Sequence, residues 1–180
     1  ITPKGAETDW EIDAVALNDS CSVDINWCNT KNKKAFSGDF SSTAHFISSE
    51  DGNIIDMVIK PTSFIISDSS WHIAPSTIHA QGKDIAIHDF EIFRSNQHLK
   101  VDGEISTDEK KMLNISLKDI DLSYIFDVLN RRHIVFGGKA TGDINISDIY
   151  NGGMPIMNTK DLFVKDFSYN YCIFGDLDVE

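Results

Sequence analysis

The chain has 180 residues, with 28 acidic against 16 basic side chains and a formal net charge of -12. Hydrophobic residues make up 41%, so the apolar side chains must be placed economically if the chain is to fold. No clustered basic face offsets the negative charge, which argues against nucleic acid as a partner. No apolar run reaches the ~18 residues of a membrane-spanning helix, and none resembles a signal-peptide core.

After a loose start at Thr2, Pro3 and Gly5, the residues Trp10, Ile12, Ala14 and Ala16 alternate with polar neighbours. Alternation with period two marks a strand with one apolar and one polar face. Asn18 and Asp19 predict a turn, and Cys21, Val23, Ile25 and Trp27 then share one face of the cleanest strand in the chain. Thr30 to Lys34 read as a polar hairpin loop. Phe36, Gly38, Phe40, Ala44 and Phe46 share a parity, and Asp51-Gly52 is a hairpin signal. Ile55, Met57 and Ile59 lead into Phe64 and Ile66, a turn at Asp68 to Ser70, then Trp71, Ile73 and Pro75. Next come Ile85 and Ile87, followed by Phe90 and Ile92, with the apolar parity switching between the two pairs. A bulge at His88 and Asp89 restores the facing, because one extra residue re-aims the pleat. Leu99, Val101 and Ile105 continue the pattern, and a charged turn at Thr107 to Lys111 precedes Leu113, Ile115 and Leu117.

From Asp121 to Asn130 the period changes. Leu122, Ile125, Phe126 and Leu129 fall at three- and four-residue spacing and predict a short amphipathic helix. Asp121 or Ser123 suits its start, and Arg131 and Arg132 suit its end. Strands resume with Ile134 and Phe136, pass the flexible Gly137-Gly138, and continue through Ile144 and Ile146. After a turn at Asn151 to Gly153 they run through Leu162, Val164, Phe167, Tyr169 and Tyr171 to Leu177 and Val179. The chain starts at Ile1 and stops inside this last alternation, which reads as a single β-rich segment (1–180) of a longer protein. The helix divides it into sub-segments 1–118 and 134–180.

The chemistry-bearing residues form no recognisable catalytic pattern. His45, His72, His79, His88, His98 and His133 show neither HxH nor HExxH spacing, so no metal site is expected. Ser69, Ser76 and Asp89 lack a GxSxG elbow, and Gly137, Gly138 and Gly142 lack the lysine of a phosphate-binding loop. The pairs Asp119/Asp121 and Asp176/Asp178 read as polar strand faces. Asn18, Asn114 and Asn145 begin N-x-S triplets, a pattern common by chance. Cys21 and Cys28 have opposite parity in one strand, and with Cys172 they leave the redox compartment open. Neither an enzyme nor a cofactor is expected. Alternation by itself fits a sandwich, a barrel or an open stack of strands.

Four stretches carry a family resemblance: LNISLKDIDLSYIFDVLN (113–130), VFGGKATGDINISDI (135–149), PTSFIISDSSWHIAPSTI (61–78) and KDFSYNYCIFGDLDVE (165–180). With these the chain resembles TamB of the translocation and assembly module, within the AsmA-like superfamily, and most of all its Bacteroidetes branch. The resemblance runs from about Ile55 to the end, and its motifs are structural. It implies an elongated, curved antiparallel sheet forming a U-shaped hydrophobic trough, a β-taco, with one short helix. It also implies a periplasmic location, in a parent anchored in the inner membrane. Phospholipid acyl chains would lie in the trough, and a BamA-like outer-membrane protein would be the partner in assembly.

On this expectation the lipid-facing wall comprises Val23, Ile25, Trp27, Phe36, Phe40, Met57, Ile59, Phe64, Ile66, Trp71 and Ile73 in the first half. In the second half it comprises Ile85, Ile87, Phe90, Ile92, Leu99, Val101, Ile105, Leu113, Ile115, Leu117, Ile144 and Ile146. Open sheet edges at both ends make a homodimer the expected state of the isolated segment. The alternative is a β-sandwich that binds protein or glycan as a recognition or adhesin module.

Overall fold

A computed structural model describes residues 8–29, 36–50, 52–66, 68–123, 136–150 and 154–179. The strands are β1 (Thr8–Leu17), β2 (Ser20–Asn29), β3 (Phe36–Ser49), β4 (Gly52–Ile59), β5 (Thr62–Ile66), β6 (Ser69–Ile73) and β7 (Ser76–Gln81). They continue with β8 (Asp84–Arg94), β9 (Gln97–Ile105), β10 (Met112–Asp121), β11 (Phe136–Ser147), β12 (Ile156–Tyr169) and β13 (Cys172–Val179). All belong to one curved antiparallel sheet that does not close into a barrel. The sandwich alternative therefore fails, since no second sheet among the described residues covers the first.

The connectivity is an up-and-down meander in chain order. Two long strands carry a break, and both breaks contain a proline. β4 and β5 are parted by Lys60-Pro61, and β6 and β7 by Ala74-Pro75. The breaks lie opposite each other, because Ile59 pairs with Ser76 on one side and Thr62 with Ile73 on the other. Proline has no N–H to give to a ladder, so two facing prolines end the pairing at one level.

Bulges keep the apolar residues on one side. Between β8 and β9 the register shifts from Ile87–Gly103 to Phe90–Val101, as the sequence leads one to expect at His88-Asp89. Asp89 adopts a left-handed φ of 56° there, and its N–H donates to the Asp102 carboxylate at 3.2 Å. The device recurs at Asp119 (φ 50°), whose N–H donates to Thr141 Oγ1 at 3.0 Å, and at Asp166 (φ 53°), whose N–H donates to Asp176 Oδ1 at 2.9 Å. Aspartate tolerates this conformation better than most side chains. Asp119 thus sits in one bulge and Asp176 accepts from the residue of another, while both stay within strands β10 and β13. Gly137-Gly138 is likewise inside β11, at another shift in register, where Gly138 has φ 117°.

The sheet bends toward its apolar side. Trp71, Leu117, Ile120, Ala140 and Val164 form one buried cluster, with Phe64, Ile92, Leu99, Leu122 and Phe167 packed around it. β6 and β10 are separated by β8 and β9, so a flat sheet would hold them about 14 Å apart. Trp71 can join that cluster only because the apolar face is concave.

At Leu122 and Ser123 the backbone turns helical, and Asp121 Oδ1 caps it by accepting from Ser123 N at 2.9 Å. The remainder of the expected helix, 124–130, lies outside the described residues, as do the expected turns at 30–34 and 151–153. The sheet continues across this region, because β10 pairs directly with β11, Leu113 to Ile146 and Ile115 to Ile144. The described residues of the sub-segments 1–118 and 134–180 are therefore parts of one sheet.

Candidate functional site: an apolar trough

Residues directly paired across antiparallel strands point to the same side of a sheet. Following the pairs in turn, Ile25 matches Phe40, and Trp27 matches Gly38, which matches Phe64. Phe64 matches Trp71, and Ile73 matches Ile92. In the other half Met57 matches Ile78, which matches Ile87; beyond the bulge Phe90 matches Val101, and Val101 matches Ile115. Ile115 matches Ile144. Every residue of the expected wall falls on this one face. Ile59, Trp71 and Leu117 are buried, and all the others are half-buried. The face is neither a sealed core nor freely exposed.

Its two ends differ. The buried cluster gathers at the middle of β6, the last part of β10 and the Ala140–Val164 pair of β11 and β12. Toward the opposite end, Ile85, Ile105, Leu113 and Ile146 are only half-buried. Two aromatic groups flank the closed end. Trp10 stacks on Trp27 with centroids 5.6 Å apart, and Phe36 lies 6.0 Å from Trp27. On the far side Phe136 stacks on Phe167 at 5.8 Å, with Tyr169 5.5 Å from Phe136. Gly38 makes room for the first group, since a Cβ there would stand 2.6 Å from Trp27 and 2.5 Å from Phe64.

Some residues of this face were not in the expected wall. Ile55, Leu162 and Val164 were marked by the same alternation, whereas Ile78, between Thr77 and His79, carried no such mark. Ile120 and Ala140 carried weaker signals, because the Asp119 bulge hides the first and the second is small.

The opposite, convex face is polar and cross-linked by side chains. The Asp56 carboxylate accepts from His79 Nδ1 at 2.6 Å. Glu91 accepts from His98 Nδ1 at 2.5 Å and faces Lys100 at 3.7 Å, and Ser116 donates to Asp143 at 2.5 Å. Lys111, beside the Glu104 carboxylate that it hydrogen-bonds, is held above the usual lysine range. A shallow depression of about 470 Å³ opens at Asp19, His45, Phe46, Ile47, Ser48 and Asp56. It draws side chains from both faces of β3, so it is a dent at the rim rather than part of the trough. Ser20 Oγ lies 2.8 Å from His45 Nδ1, but Asp56 is engaged by His79, so these residue types do not assemble a relay. Ser69, Ser76 and Asp89 lie on separate strands of the sheet, β6, β7 and β8.

Among the described residues no group of three His, Cys, Asp or Glu side chains could hold a metal ion, and no helix is long and apolar enough to cross a membrane. Cys21, Cys28 and Cys172 are free thiols, with Cys21 opposite Ala44 on the apolar face and Cys28 opposite Ser37 on the polar one. No protein-family model, curated protein or solved structure matches the chain.

Proposed function

We propose that this chain is a periplasmic segment of a TamB-like conduit, in which acyl chains of phospholipid travel along the concave face. The observation that carries this reading is the single half-buried apolar wall, continuous from Val23 to Ile146, with no second sheet among the described residues to cover it. Apolar surface of this extent has to be covered, and each CH2 withdrawn from water contributes ~0.8 kcal/mol, so acyl chains are a sufficient covering. Headgroups stay in water at the open side. The polar convex face keeps the sheet dissolved, and transport needs no catalytic group. The parent would be anchored in the inner membrane and would support outer-membrane protein assembly with a BamA-like partner. Directionality belongs to the parent.

Photo-crosslinking in cells tests this. A photoreactive residue at Ile87, Val101 or Ile115 should yield phospholipid adducts by mass spectrometry. The same residue on the convex face at Ala86, Lys100 or Ser116 should not. Equal labelling of both faces, or none, rejects the conduit. Val101→Asp should in turn slow transfer more than ~100-fold, because an unpaired charge in an apolar channel costs several kcal/mol.

A further inference from the structure

We infer that the β5–β6 hairpin is a hinged wall that closes one end of the trough, with Trp71 as the residue that makes the closure. Its bearing on cargo rests on the conduit reading above. The hinge is the line of facing breaks at Lys60-Pro61 and Ala74-Pro75, where the ladder of β4 with β7 stops and that of β5 with β6 begins. Neither proline can donate across the gap. Ser76, next to Pro75, is 4% exposed, and its buried hydroxyl finds no partner among the described residues, so the line also carries an unmet hydrogen bond.

Beyond the hinge the hairpin is held at its sides by short ladders. Phe36–Gly38 of β3 pairs with Phe64–Ile66, and His72 and Ile73 pair with β8. Beside the breaks, Thr62 Oγ1 donates to Asp39, and the N–H groups of Lys60 and Ala74 donate to Ser41 O and Glu91 O at 2.9 Å, so the hinge line stays pinned to β3 and β8. The neighbouring ladders of β8 with β9 and β11 with β12 run for most of the strand length. The contact with the opposite wall is Trp71, 6% exposed, which is packed in one cluster with Leu117, Ile120, Ala140 and Val164. A side chain that joins both walls of a trough blocks passage at that level. Rotation about the proline line lifts Trp71 from the far wall and leaves the ladder of β4 with β7, and strands β10 to β12, in place. Partial opening of a weakly tethered unit is a common low-energy excursion of native proteins.

Hydrogen exchange and a reversible lock test this on the whole chain. In the unmodified protein, amides of β5 and β6 should exchange together and at least about tenfold faster than those of β7 and β8. His72 and Phe93 are directly paired on the convex face, within disulfide reach and away from the trough lining. In a background with Cys21, Cys28 and Cys172 replaced by serine, oxidising H72C/F93C should slow hairpin exchange and leave β10–β12 unchanged. It should also slow release of the fluorescent fatty acid cis-parinaric acid by about tenfold, and reduction should reverse both effects. Hairpin amides exchanging at the rates of β7 and β8, or release indifferent to the lock, would overturn the hinge. Failure of the fatty acid to bind at all would reject the conduit instead, with exchange in the hairpin then deciding the hinge alone.

Discussion

Trp71 and Trp10 lie on the same face of the sheet, yet one is 6% exposed and the other 52%. Their substitution should therefore diverge. Trp71→Ala removes a large side chain from the buried cluster and should cost about 3–5 kcal/mol, read from urea unfolding. Trp10→Ala should cost less than about 1.5 kcal/mol, because it loses mainly its stack on Trp27. Gly38 is a different kind of constraint, since its missing side chain is the space that Trp27 occupies. Gly38→Val should push the indole off and cost about 1–3 kcal/mol, with loss of the near-ultraviolet circular dichroism of the Trp10–Trp27 pair. An unchanged spectrum at that position would show that the aromatic group does not depend on the glycine.

At the scale of strands, the left-handed aspartates decide which way the chain faces. Asp89→Val and Asp119→Val should each cost about 1–2 kcal/mol, whereas the glycine substitutions should be close to neutral, because a Cβ, and a branched one most of all, resists that conformation while glycine has none. Thermal unfolding of the four variants checks the contrast, and equal losses for valine and glycine would locate the penalty in the lost carboxylate instead. The Asp89 bulge was legible in the sequence because clean alternation surrounds it, so the parity switch from Ile87 to Phe90 stands out. The Asp119 bulge was not, since Leu117 and Ile120 run straight into helical spacing at Leu122. Facing was legible almost everywhere for the same physical reason: a pleat has period two, and a wrong facing would expose an entire apolar row. Curvature was not. Alternation assigns sides, but whether Trp71 reaches the wall of β10 to β12 depends on twist and bulges summed over several strands. The trough reading itself came from the family resemblance, since a sandwich would have shown the same alternation.

For the whole molecule, among the described residues both outer strands leave a row of backbone groups without a neighbouring strand, and both carry exposed apolar side chains, Ile12 and Leu17 on β1, Ile173 and Phe174 on β13. Asp9, Glu11 and Asp13 line β1, and Asp176 and Asp178 line β13, so edge meets edge against like charge. Association of the segment into dimers should therefore strengthen as salt is added, since screening shortens the reach of that repulsion to about 8 Å at physiological ionic strength. Ile173→Lys should suppress it. A strict monomer by light scattering at high concentration and high salt would remove the edges from consideration. The meander has one more consequence. Because each strand leans on the one made just before it, apart from the two proline-broken pairs, no strand has to wait for a distant part of the chain. Such a sheet can be laid down course by course as the polypeptide emerges, and lengthened or shortened by whole hairpins without disturbing what is already built.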